Sequence, residues 1–120
     1  MNKTILIVDD DADIRAVLSE FLEFENYTVS TAANGREALA FLRAHPRTSV
    51  VLLDLMMPIM DGFQFREEQK RDPAIASVPV VVMTASGSLG PGSIDVDQVL
   101  AKPLELDRLL AALDSARGAR

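Results

Sequence analysis

Short, fully apolar runs alternate along this chain with longer stretches in which apolar residues recur every three or four positions. Ile5-Leu6-Ile7-Val8, Val50-Val51-Leu52-Leu53 and Val80-Val81-Val82-Met83 are uninterrupted runs. Their length and β-branched content predict strands buried on both faces. Thr28-Val29-Ser30-Thr31 and Gln98-Val99-Leu100-Ala101 are less apolar, which suits edge strands. Between the runs, Ile14, Val17, Leu18, Phe21 and Leu22 fall at helical spacing and predict one face of an amphipathic helix. Asn34, followed three residues later by Glu37, reads as an N-cap signal ahead of Ala38, Leu39, Phe41 and Leu42. A last helix carries Leu106, Leu109, Leu110 and Leu113 on one face and runs out in Ser115-Ala116-Arg117-Gly118.

Strands alternating with helices imply right-handed βαβ units and a parallel sheet covered on both faces. Two stretches fit the alternation less well. Residues 62–70 predict a helix but offer few apolar positions at helical spacing. Residues 87–93 hold three glycines and a proline, so at most a short turn of helix is expected there.

Composition narrows the class. A chain of 120 residues suffices for one domain, and an apolar share of 48% rules out a disordered one. The net charge of −6 argues against direct nucleic-acid binding, which draws its affinity from Lys and Arg on phosphates. The absence of cysteine excludes disulfides, thiolate metal sites and thiol nucleophiles. The apolar window 50–60 is interrupted by Asp54 and is too short to span a bilayer, and the first residues lack a signal-peptide pattern. A cytoplasmic protein with no membrane insertion is expected.

In an open parallel sheet, ligands sit beyond the carboxyl ends of the strands. Asp9-Asp10-Asp11 follow the first predicted strand, Asp54 ends the third, Thr84 ends the fourth, and Lys102-Pro103 follow the fifth. Acids, a hydroxyl and an ammonium therefore converge on one rim. Clustered carboxylates repel one another unless a cation lies among them, and Mg²⁺ favours hard oxygen ligands of this kind. A carboxylate can also accept a phosphoryl group, with transfer governed by positioning and charge neutralisation. Each residue has a plain alternative. Asp11 and Asp13 are read as helix-capping acids, Lys102 alone would be a surface lysine, and His45 is read as a solvated helix-end residue. Met56, Met57, Met60 and Met83 are read as core or rim packing, and residues 66–72 as a solvated helix face.

The segments Ile5-Leu6-Ile7-Val8-Asp9-Asp10-Asp11, Leu52-Leu53-Asp54-Leu55-Met56-Met57-Pro58, Asp61-Gly62, Met83-Thr84-Ala85 and Lys102-Pro103 stand in this order across nearly the whole chain. In that set the sequence resembles a bacterial response-regulator receiver domain of two-component signalling. The resemblance implies that Asp54 is the phosphoacceptor for a histidine kinase or phosphotransfer protein. It implies Mg²⁺ (with Mn²⁺ as a substitute) held by Asp9, Asp10, Asp54 and the backbone carbonyl of Met56. Thr84, Ala85 and Lys102 would contact the phosphoryl group, with Lys102-Pro103 joined by a cis peptide. Pro58, Asp61, Gly62 and Pro103 would shape the surrounding loops, and Met56 and Ser86 would tune phosphoryl lifetime.

Three departures from the family pattern stand out. Val99 occupies the position where the family often carries a switching aromatic residue. The stretch between Thr84 and Lys102 is short and its glycines replace most of the fourth helix. Arg66 and Gln69 stand where apolar residues are usual.

Rival readings were an aspartate-nucleophile phosphatase on Asp9-x-Asp11, a flavin module, and a receiver-like docking module that works without phosphorylation. The acidic run would repel a flavin phosphate, and position 13 does not suit the phosphatase motif. The expectation is therefore a single receiver domain over residues 1–120, with a doubly wound, flavodoxin-like α/β sheet of strand order 2-1-3-4-5. Its role would be that of a phosphoacceptor switch without external turnover, acting on an unknown downstream effector.

Overall fold

The three apolar runs form the centre of one parallel sheet in a computed structural model that describes residues 3–85 and 96–118. Its strands are β1 (Lys3–Val8), β2 (Tyr27–Ala32), β3 (Val50–Asp54), β4 (Val80–Thr84) and β5 (Gln98–Ala101). Their order is β2-β1-β3-β4-β5, with the less apolar β2 and β5 at the edges. The helices are α1 (Ala12–Phe24), α2 (Gly35–Ala44), α3 (Gly62–Arg71) and α4 (Leu106–Gly118). The expected short helix between β4 and β5 falls on residues outside those described.

Because successive strand side chains point to opposite faces, each apolar run feeds two cores. Leu6, Val8, Val51, Leu53, Val80 and Val82 face α2 and α3, joined by Leu39, Leu42 and Phe65. Ile5, Ile7, Val50, Leu52, Val81 and Met83 face α1 and α4, joined by Leu18, Leu22, Leu109 and Leu113. Burying each such side chain contributes about 1.5–3 kcal/mol, so continuous runs of four are what a two-faced sheet requires.

Two predicted faces shift slightly. In α4 the buried stripe is Leu109, Ala112, Leu113 and Ala116, while Leu106 at the first turn is exposed. In α1, Val17 points outward at 63% exposure, although Leu18 and Leu22 are buried. The caps follow the sequence signals. Asp11 caps α1 by accepting from the backbone N–H groups of Asp13 and Ile14, and Asn34 accepts from that of Glu37. Glu37 reaches back to the N–H of Ala33, one residue before the cap. His45 is the exposed C-cap of α2, its ring stacked on Phe41.

Helix α3, short of apolar residues, buries Phe65 and the amide of Gln69. Gln69 Nε2 donates to the carbonyls of Ile75 and Val78, both at 3.0 Å, and Oε1 accepts from Arg66 Nη1 at 2.8 Å. The two departures from apolar character thus act together, satisfying the backbone of the turn that leads into β4.

At the pole opposite the acids, the buried Tyr27 hydroxyl donates to Asp114 Oδ1 at 2.7 Å, and Arg117 Nε approaches both groups. Burial chiefly, and then the bond to Asp114, push the phenol up from 10.0 to about 12, against the opposing pull of Arg117. A raised folded value means that this contribution is whole below pH 10 and is lost as pH climbs towards 12. Denaturant titrations are expected to show stability falling by about 2–3 kcal/mol over that window. Tyr27→Phe is expected to remove most of this alkaline slope.

Candidate functional site: an acid pocket at the strand ends

The parallel register places the carboxyl ends of β1, β3, β4 and β5 side by side, with Val8 opposite Leu53, Asp54 opposite Met83 and Thr84 opposite Ala101. Asp9, the residue after β1, is almost fully buried. Its N–H donates to the carbonyl of Ala32, its carbonyl accepts from Arg15 Nη1 at 2.7 Å, and its Oδ1 accepts from the N–H of Asp11. Oδ2 is buried and accepts no hydrogen bond. Asp54 is buried at the end of β3, and Asp10 is exposed at the mouth. One carboxylate oxygen from each of these three acids lies within 4.8 Å of the others.

Lys102 enters from the opposite side. Its backbone N–H donates to the carbonyl of Thr84 at 2.9 Å, and the bond to Pro103 is cis. Its ammonium lies 3.6 Å from Asp9 Oδ2 and 3.5 Å from Asp54 Oδ1. Both distances exceed those of well-formed hydrogen bonds, so the cation is shared between two carboxylates rather than committed to one. Burial, and then the neighbouring Asp9 charge, push the Asp54 carboxyl above the usual carboxylate range, while Lys102 and the N–H of Met56 pull it back. Three hard oxygen donors, an orphaned buried lone pair and one incompletely matched ammonium fit a Mg²⁺ site.

The wall beyond Asp54 is a tight loop. Met56 N–H donates to Asp54 Oδ1 at 3.3 Å. Asp61 caps α3 with a reciprocal box to Gln64. Gly62 donates to the carbonyl of Leu55, and a Cβ there would lie 2.8 Å from Leu55 Cα and 2.9 Å from the carbonyl oxygen of Asp54. Only glycine lets α3 start against the end of β3. Gly62→Ala is expected to cost about 1–3 kcal/mol, because backbone rather than a flexible side chain must move; urea unfolding checks this.

Between Pro58 and Met60 the chain makes a γ-turn, Met60 N–H donating to the carbonyl of Pro58 at 2.7 Å, with Ile59 at φ 69°. That left-handed conformation costs a β-branched residue about 1–2 kcal/mol. On the other lip, Ile14, Val17, Pro103 and Leu106 line a groove of about 340 Å³ beside Lys102.

Of the sequence candidates, Asp9, Asp10, Asp54 and Lys102 meet in the pocket. Thr84 is buried at the tip of β4, with Ala85 exposed just beyond it. Val99 is 39% exposed on the β5 edge, paired in register with Val82. Met56 is 74% exposed, Met57 and Met60 pack partly on the core, and Met83 is buried. Ser86 lies outside the described residues. Asp11, needed by the phosphatase reading, caps α1 and is not among the clustered acids. Sequence reasoning missed Arg15 and Ile59. Nothing in the pattern around Arg15 marks a bond to the Asp9 carbonyl, and isoleucine is among the residues least expected at positive φ.

Residues 5–114 match the model of the response regulator receiver domain, and the chain belongs to that family. It is 36% identical over 113 residues to response regulator Rre1 of Synechocystis, covering 90% of this chain and 48% of that protein. The chain spans about half the length of the curated relatives it matches. Among solved structures, chemotaxis response regulator CheY4 of Vibrio cholerae superposes with a TM-score of 0.87 at 31% identity, covering 97% of this chain and 99% of that one. A sensor-kinase receiver domain from Pseudomonas aeruginosa, with magnesium coordinated in its active-site cleft, shares the fold at a TM-score of 0.83 and 24% identity, with 98% and 99% covered. Receiver domains are switches that stand between histidine kinases and effectors in two-component signalling, not conventional enzymes, and this chain has the architecture of such a phosphoacceptor switch. Among the described residues, no helix is long and apolar enough to cross a membrane.

Proposed function

We propose that Asp54 is the phosphoacceptor of a two-component relay and that residues 1–120 form one receiver domain. The observation that carries the assignment is the meeting of the Asp9, Asp10 and Asp54 oxygens within 4.8 Å, under an ammonium that reaches two of them. Asp54 alone combines burial at the pocket floor with a carboxylate edge turned to the shared cation. Its oxygen forms the new P–O bond as the P–N bond of a donor phosphohistidine breaks, the bonding pair returning to the imidazole nitrogen. Asp9, Asp10, Asp54 and the carbonyl of Met56 would hold Mg²⁺, or Mn²⁺ in its place. The bound cation neutralises charge on the transferring phosphoryl oxygens. Lys102 then exchanges its divided contact with two acids for a charge-assisted bond to the phosphoryl group. Thr84, at the tip of β4, supplies a hydroxyl donor, with the N–H of Ala85 next to it.

New phosphoryl contacts of this kind would bias the β4–β5 flank between two arrangements, which is the switch. The four-way convergence favours this over docking without phosphorylation, for which a matched acid pocket has no use. Turnover is confined to acceptance and loss of its own phosphoryl group. The partners are a cytoplasmic histidine kinase or phosphotransfer protein and a downstream effector, with no nucleic acid contacted by this chain. Intact-mass measurement after acetyl phosphate treatment tests the reading: one phosphoryl group is expected with Mg²⁺ and none after chelation. Uptake independent of divalent cation would overturn it.

A further inference from the structure

We propose that Ile59, with Met56 and Phe63 beside it, is the apolar contact through which this receiver engages its protein phosphodonor. The inference rests on Asp54 being the acceptor, and on a combination that ordinary packing does not explain. Ile59 occupies the left-handed region at φ 69° yet leaves 69% of its surface in water. A β-branched side chain there strains the backbone without any return from burial within this chain, and glycine or asparagine would serve the γ-turn better. Strain held at an exposed loop beside a reactive group points to use of the side chain by something outside the fold.

The neighbours extend the surface. Met56 is 74% exposed and Phe63 41%, so three large apolar side chains stand on one loop and the first turn of α3. Their position fixes the occupant. Met56 N–H is bonded to the acceptor carboxylate itself, and Ile59 follows three residues later, within about 11 Å at 3.8 Å per residue. The Asp54 side chain is only 8% exposed, so a donor must insert its phosphorylated side chain while its own surface rests on the rim. A small phosphodonor enters without touching that rim. The Met60 carbonyl accepts from Gly35 N–H, which holds the rim loop to α2 and presents the patch in a fixed position.

The experiment compares phosphoramidate, which offers the same P–N bond on a small molecule, with an autophosphorylated histidine kinase. That kinase is the one, among the purified kinases of the source organism, that transfers fastest to the wild-type chain. Ile59→Asn suits the γ-turn but removes the apolar contact, whereas Ile59→Val keeps both strain and contact. Expected for Ile59→Asn are a melting temperature higher by about 3–6 °C, an unchanged phosphoramidate rate, and kinase transfer slowed about tenfold through KM rather than kcat. Ile59→Val should stay within about threefold of wild type with both donors. Unchanged kinase transfer in Ile59→Asn, or equal slowing with both donors, would overturn the docking role. Failure of the wild-type chain to accept from phosphoramidate would instead overturn the acceptor assignment on which it rests.

Discussion

Asp54→Ala is expected to take up no phosphoryl group from acetyl phosphate and Mg²⁺, under conditions in which the wild-type chain gains one. The loss should be complete because no other carboxylate in the pocket combines its burial with its contacts. Asp10 is exposed at the mouth, and Asp9 is turned by its bond to the N–H of Asp11. Asp9→Asn and Asp10→Asn should keep the acceptor but slow uptake by about 10–100-fold at limiting Mg²⁺, each removing one hard oxygen donor. The unmodified protein should report the same electrostatics. A raised Asp54 value means that the folded state holds this proton more tightly than the unfolded chain does. Stability without divalent cation therefore falls as pH rises from the ordinary carboxylate value through the raised one. Asp54→Asn removes that penalty and should melt higher than wild type in chelator at neutral pH, with the difference shrinking as Mg²⁺ is added. A mass spectrum showing phosphate on Asp54→Ala would place the acceptor elsewhere.

Gln69→Leu is expected to destabilise the chain by about 2–5 kcal/mol, although leucine matches the family habit at this position. The amide is fully buried and serves the carbonyls of Ile75 and Val78, so the substitution strands two acceptors at about 1–3 kcal/mol each. Arg66 also loses its bond to the amide oxygen. For a chain of this size the melting temperature should fall by roughly 10–20 °C. Glu68→Ala, on the exposed side of the same helix, should stay within about 0.5 kcal/mol of wild type. A Gln69→Leu variant as stable as that control would mean that the turn satisfies its carbonyls in another way.

These cases mark where the sequence could be read and where it could not. The strands were legible because burial on both faces leaves an unambiguous run of apolar residues. The pocket was legible because strand tips in a parallel sheet meet by topology, so Asp9, Asp54, Thr84 and Lys102 needed no detailed geometry to be brought together. Gln69 was visible as an anomaly, but its purpose was not, since its two acceptors are backbone atoms six and nine residues away. Ile59 carried no signal at all, because its conformation runs against residue preference and is imposed by the turn between Pro58 and Met60. Val17 and Leu106 followed helical spacing and are nonetheless exposed, because both border the open groove beside Pro103. Periodicity assigns a face to a helix, not a covering to every residue on it.

The missing side chain at position 62 has a mechanical corollary. With α3 seated directly on the last peptide of β3, strand tip and helix move as one rigid block, and little slack exists between them. Any displacement that a phosphoryl group sets off must then be taken up across the pocket, where Thr84 and Lys102 are joined by a single backbone bond. The domain is stiff on the flank that receives the group and compliant on the flank that would relay its arrival.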